Sequence, residues 1–306
     1  MTTYVVRRLI FSVFVLWGAL TVVFLAVRAV PGDPAQMMMG PNATAAEIDA
    51  LREKLGLNRP LVVQYAAYMV QTIRLDLGES LRLAQPVVAL VAERLPTTGK
   101  LALTAILIAV AVSFPLGMAA AIRPGGLLDG VVSVVSLLGQ SVPGFWLGIM
   151  FILIFARSLR LLPSAGDESL AHLILPSITV ALPLVGVLTR LVRSGLLDVL
   201  DEDYVRTARA KGLTPRAVMW RHAIRNMLIP VITVVGLQIG HLLGGAVITE
   251  TVFAWPGVGT LLVDAITNRD YPLVQASILF ITALFVTINF LVDLSYGALD
   301  PRIRLQ

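Results

Sequence analysis

Six stretches of this sequence are apolar for about 20 residues each, the length a helix needs to cross the ~30 Å hydrocarbon core of a bilayer. They run over 9–27, 100–122, 130–156, 170–188, 227–249 and 272–294. A chain that is 57% hydrophobic and only 14% charged lacks the polar exterior of a soluble globule, where about 25% charge is usual. Disorder is excluded by the same figures, because disordered chains are poor in apolar residues. With no cysteine there is no disulfide framework, thiolate metal site or thiol switch. The expected fold class is therefore all-α integral membrane, with six transmembrane helices. The first stretch follows Arg7 and Arg8 as a signal peptide would, but its 19 apolar residues exceed the 7–15 of such a segment and no A-x-A site follows. It reads as a retained helix.

Orientation follows from Lys and Arg in the short loops. With the N-terminus inside, thirteen of the 24 basic residues fall on the cytoplasmic side, eight of them between Arg190 and Arg225. The short external loops hold three: Arg157, Arg160 and Arg269. Both termini, 1–8 and 295–306, are then expected in the cytoplasm. Residues 28–99 become an external loop with short helices, one opened by the capping box Thr44–Glu47 and stopped at Gly56, another starting at Pro60. It reads as a cap on the helix ends or as a docking surface. Residues 250–271 form a further external loop.

The cytoplasmic segment 190–226 carries the most information. Asp201, Glu202 and Asp203 precede a helical stretch, which Gly212 is placed to end and Pro215 follows. Val205, Ala208 and Gly212 share one small-residue face, with Arg206 and Arg209 turned elsewhere. Such a face is expected to lie in a protein groove; an interfacial helix would carry Leu, Phe or Trp there.

At these residues the sequence resembles the permease subunits of ABC importers, most closely the B-type subunit of the dipeptide/oligopeptide (and nickel) branch. The resemblance rests on DYVRTARAKG at 203–212 and RHAIRNMLIPVIT at 221–233. PGDP at 31–34, GLNRPLVVQY at 56–65, ETVFAWPGVG at 250–259 and DPRIR at 300–304 add to it, in order along the chain. Of the broader importer motif E-A-A, three residues, G, only Ala208 and Gly212 carry over.

The resemblance implies a type I ABC importer permease fold, a permease core domain over 96–295 and a place in a bacterial or archaeal plasma membrane. It implies a homologous second permease subunit, two ATPase domains and an extracellular or lipid-anchored binding protein. Asp203, Tyr204, Arg206, Thr207, Ala208, Arg209, Lys211 and Gly212 become the expected ATPase-coupling residues. ATP and magnesium belong to the partner ATPase: this sequence has no G-x-x-x-x-G-K-[ST], so the chain is expected to bind no cofactor and to be no enzyme. The implied cargo is a di- or oligopeptide, with a nickel chelate or glutathione as alternatives.

Polar residues inside the spans are candidates for the translocation path: Gln140 and Ser141 beside Pro143, Gln238 and His241, and Asn289. The commonplace reading of each is interhelical glue. His172, His222 and His241 are isolated from one another in sequence, so no metal site is expected, nor any nucleic-acid partner. Glu250, Phe253 and Trp255 lie in an aromatic, glycine-rich turn, expected at an outer gate or against the binding protein, with Trp255 as an interfacial anchor. The rival readings are a self-contained secondary carrier, for which Asp293 is the one acid well inside a span, and a membrane scaffold.

Overall fold

The computed structural model describes residues 2–29, 34–39, 43–54, 56–80 and 82–299; PGDP, apart from Pro34, and DPRIR lie outside them. Helix after helix follows, with no strand among the described residues beyond the isolated bridge Glu79–Pro86. The order is α1 (Thr2–Ala29), α2 (Pro34–Met39), α3 (Ala45–Lys54), α4 (Leu61–Ile73), α5 (Val87–Ile122), α6 (Leu127–Ser141) and α7 (Gly144–Phe151, continued by a π-helical Ile152–Ser158). Then come α8 (Leu170–Leu200), α9 (Asp203–Ala210), α10 (Pro215–Ala217, continued by a π-helical Val218–Ala223), α11 (Ile224–Val252), α12 (Val258–Thr267) and α13 (Tyr271–Leu299). Among the described residues α1, α5, α8 and α13 are long and apolar enough to cross a membrane, and the bent pair α6–α7 makes a fifth such unit. The 29-residue α11 runs among them.

Three of these elements differ from the sequence expectation. The stretch 130–156 is not one straight helix: α6 stops at Ser141, and the chain turns through 102° before continuing. The cause is local. Pro143 disfavours helical geometry in the residue before it, and Val142 accordingly sits extended at φ −84°, ψ 128°. The helix that contains the stretch 100–122 begins earlier, at Val87, because Pro86 opens it and Val87, Leu90 and Val91 bury against α12 and α13. The stretch 250–271 holds a helix of its own, α12.

The core is built where α5, α8 and α11 meet. Ala105 and Ala109 of α5 let α8 come close, and Leu184, Leu188 and Val192 of α8 fill the space against Met227 and Val231 of α11. Gly117 packs under Thr189 and Val192, where a Cβ would lie 2.7 Å from either, so glycine is required there. In contrast α1 is mostly exposed. It packs along α13, and Arg8 pairs with Asp293 at 2.8 Å. Its other end is fixed by Phe24, which packs edge-to-face on Tyr65 and tilted against Tyr68 of α4, and by Arg28, which donates to Gln64 Oε1 at 2.9 Å.

Before α4, the start of α3 is capped reciprocally. Thr44 N–H donates to Glu47 Oε2 at 2.8 Å, and Glu47 N–H to Thr44 Oγ1 at 3.4 Å. Gly56 then reverses the chain at φ +65°. These short helices roof a cavity of about 770 Å³ walled by Arg28, Gln64, Asp76, Glu79 and Gln275 among others.

Candidate functional site

The loop between α8 and α11 is a small folded unit. Beyond Leu200 the chain makes a two-residue turn and enters α9, whose first turn carries Asp203 at the positive end of the helix dipole. Thr207 Oγ1 donates to Asp203 O at 2.9 Å. Gly212, at φ +81°, takes the left-handed conformation that closes the helix; its N–H donates to Arg209 O at 2.9 Å. Thr214 caps α10 by accepting from Ala217 N–H at 3.3 Å.

Within that unit the apolar face of α9 points inward. Val205 and Ala208 are buried and pack on Val218, Val199, Leu200 and Leu213. The expectation that the Val205–Ala208–Gly212 face lies in a partner's groove is therefore corrected: this face holds α9 on its own chain. Ala208 is a packing residue, and any docking surface is the opposite one. On it Asp203, Arg206, Thr207 and Arg209 are exposed, as is Tyr204, whose hydroxyl accepts from Asn226 Nδ2 at 2.9 Å; Lys211 and Gly212, just past the end of the helix, are exposed as well.

At the far end of α11 the expectation for Glu250, Phe253 and Trp255 is overturned: all three are at most 1% exposed. They form an internal clasp. The Oε1 of Glu250 accepts from Thr98 Oγ1 at 2.7 Å, and its Oε2 accepts from the N–H groups of Gly259 at 2.7 Å and Thr260 at 3.2 Å. Those amides open α12, so the carboxylate acts as the cap of that helix. Thr98 in turn accepts from Val258 N–H at 2.9 Å. Trp255 donates its indole N–H to Thr97 O at 3.1 Å and packs with Leu101, Leu173 and Ala246. A Cβ on Gly257 would fall on the Glu250 carboxylate, and one on Gly259 would lie 2.5 Å from Val247 Cα. A gate lining or interfacial anchor needs exposure, and these side chains have none. The signal was present in the sequence: a lone acid at a span end, followed by Gly-x-Gly where a helix must begin.

The described polar side chains of the spans do not gather into one site. Ser141 Oγ donates to Leu137 O at 2.9 Å and Asn289 Nδ2 to Phe285 O at 2.9 Å, each within its own helix. Gln238 is half-buried, and the side chain of His241 lies outside the described residues. No hydrogen bond joins any two of Gln140, Ser141, Gln238 and Asn289. Gln140 instead accepts from Arg190 Nη2 at 2.9 Å and donates to Ser136 O at 3.1 Å. One turn further along α8, Arg193 forks onto Asp129, with Nη2 at 2.7 Å from Oδ2 and Nε on Oδ1. Asp129 also accepts from Gly125 N–H at 2.9 Å. Gly186, packed on Ser136 O, brings α6 and α8 close enough for both pairings. Sequence reasoning placed Arg190 and Arg193 only as flanking charges.

Comparison with known proteins fits this frame. Residues 113–305 match the family described as binding-protein-dependent transport system inner membrane component, and residues 1–103 match the corresponding N-terminal family. The chain belongs to this family of inner-membrane permeases.

Its relatives cover the whole permease. It is 41% identical, over 99% of its own length and 100% of the other's, to a probable peptide ABC transporter permease, y4tP, of Sinorhizobium fredii. It is 42% identical to the glutathione transport system permease GsiC of Salmonella typhi and 41% identical to the di/tripeptide transport system permease DppB of Pseudomonas aeruginosa, each over 100% of both chains. Among solved structures it resembles a chain of the methionine ABC transporter MetNI in an inward-facing conformation, with a TM-score of 0.57 at 18% identity, covering 70% of this chain and 98% of that one. The permease thus has the fold of type I ABC importer permeases.

Proposed function

We propose that this permease is one of two membrane subunits of an ATP-driven, binding-protein-dependent importer for short peptides. The observation that carries the reading is the full-length similarity, at 41–42% identity, to permeases named for peptide, di/tripeptide and glutathione transport. Glutathione is itself a tripeptide, so the two cargo readings differ only in detail, and a nickel chelate is a third. Counting α6–α7 as one bent span and α11 as another gives six spans, with both termini and the α8–α11 loop in the cytoplasm. On this reading the exposed face of α9 docks on the partner ATPase, which binds ATP and magnesium. A homologous permease supplies the other half of the path, and the binding protein delivers cargo to the end of the bundle that carries α12.

Buried anchoring of α9 supports that role. A helix held by Val205 and Ala208 transmits a push instead of yielding to it, and its outward face carries Arg206, Arg209 and Lys211. Asp293, the acid a proton-coupled carrier would need, is paired with Arg8.

Reconstitution with the partner permease, the ATPases and the binding protein tests the proposal. ATP-driven uptake of a tripeptide without an ion gradient is the expected result. Reversing Arg206 and Arg209 to Glu is expected to abolish co-purification of the ATPase and uptake together, with membrane insertion unchanged. Uptake driven by a gradient in the absence of ATP would overturn it.

A further inference from the structure

Two arginines of α8 stand one turn apart, and their surroundings differ. Arg193 is neutralised by the fork onto Asp129 near the start of α6. Arg190 is exposed, and no carboxylate among the described residues pairs with it. It bonds the amide oxygen of Gln140, which lies eleven residues further along α6 than Asp129. That separation is about 16 Å at 1.5 Å rise per residue.

The direction of that reach is informative. An arginine near the end of a membrane helix ordinarily extends its guanidinium toward the headgroups. Arg190 turns the other way, toward the point where the sixth helix breaks at Ser141. A lone cation held beside such a break is unfavourable against lipid, so the surface that carries it faces water or protein. The geometry holds it there: the Gln140 amide is itself anchored to Ser136 O, and the contact of Gly186 on Ser136 fixes the spacing of the two helices. Only part of the guanidinium is engaged by Gln140, and its other N–H donors form the planar fork that matches a carboxylate.

We infer that Arg190, oriented by Gln140, lines the translocation path and receives the carboxylate of the passing peptide. The inference rests on the peptide-import reading above. Its role is to replace water around a charged carboxylate that would otherwise be desolvated in the path. Gln140 is a positioning residue, because its amide oxygen fixes the guanidinium and leaves the fork open.

The test uses the complete transporter in proteoliposomes, with trialanine and trialanine amide each at a concentration that saturates the binding protein. Arg190→Gln is expected to lower maximal uptake of trialanine about tenfold, the size of one lost charge-assisted hydrogen bond. Arg190→Lys is expected to keep most of the rate, and Gln140→Leu to lower it less than Arg190→Gln does. Uptake of the amide is expected to be slow with the native chain and unchanged by Arg190→Gln. ATPase stimulation by the loaded binding protein, measured alongside, reports assembly independently of cargo. Equal loss for both peptides, or lost ATPase stimulation in both Arg190 variants, would make Arg190 an intersubunit contact and overturn the inference. So would a native rate for Arg190→Gln with trialanine. Absence of uptake of either peptide by the native complex would instead refute the peptide reading itself.

Discussion

Replacing Glu250 separates a structural clasp from a gate. In Glu250→Leu the side chain keeps its bulk but becomes apolar, and three donors lose their acceptor: the Thr98 hydroxyl and the N–H groups of Gly259 and Thr260. An orphaned buried donor costs about 1–3 kcal/mol. Taking the low end for each, because removing a buried carboxylate also relieves its desolvation, the change destabilises the fold by about 3 kcal/mol. Glu250→Gln keeps one carbonyl oxygen for the two α12 amides and loses mainly the charge assistance, about 1 kcal/mol. Gly259→Ala attacks the same clasp by volume while leaving its hydrogen-bonding groups in the sequence, since the added Cβ meets Val247 Cα at 2.5 Å and Glu250 Oε2 at 2.7 Å, and no rotamer change can relieve the backbone overlap. The assay is SDS-induced unfolding in mixed micelles, followed by tryptophan fluorescence, with Trp255 inside the clasp. The expected order of resistance is native, then Glu250→Gln, then Glu250→Leu and Gly259→Ala. If Glu250→Leu unfolds with the native chain yet loses uptake, the clasp reasoning is wrong and Glu250 acts on the cargo or the binding protein.

Gly212→Ala meets open space, so it isolates the backbone cost of φ +81°, about 1–2 kcal/mol for a residue with a Cβ. Faster hydrogen exchange over 203–213, with the bundle core unaffected, is the expected readout. At the cap of α3, hydrogen bonds from the backbone and hydroxyl of Thr44 hold the Glu47 carboxyl below its ordinary range. A lowered folded value means that the cap's contribution is complete above the ordinary carboxylate range and is lost as pH falls through the lowered value. The Thr44 amide shift in threonine-labelled protein should follow that titration, and Glu47→Gln should abolish it.

The sequence and the structure agree on what apolar length, capping residues and glycine dictate, and differ where Pro143 breaks one stretch and Pro86 opens another. Hydrophobic runs mark where helices lie, Thr44 and Glu47 mark the start of α3, and Gly212 marks the end of α9. These are local effects, legible without knowing the neighbours. Facing is not. An eight-residue helix such as α9 has an apolar stripe whether that stripe meets a partner or its own chain, and only Val199, Leu200 and Val218 decide which. The segment 250–259 is ambiguous for the same reason: Phe, Trp and Gly suit a membrane interface and a buried corner equally. Arg190 carries no local mark of its partner, since Gln140 is 50 residues away and reaches it only because Gly186 lets two helices touch.

Helix α8 also has a mechanical consequence. At 31 residues it is about 46 Å long, well beyond the hydrocarbon thickness of about 30 Å. Its two prolines, Pro176 and Pro183, sit in the first half, so the second half is the stiffer one. That half ends in Val199 and Leu200, which pack at once into the bundle core and into the cluster beneath α9. A load placed on α9 thus has no slack joint to dissipate in. It passes into the stiffer half as a rotation, and a tilt of ten degrees over that half, about 23 Å long, displaces its end by about 4 Å. With an ATPase docked at α9 as proposed above, the second half of α8 is the lever arm, and the proline-bearing section lies at the end farthest from the applied force.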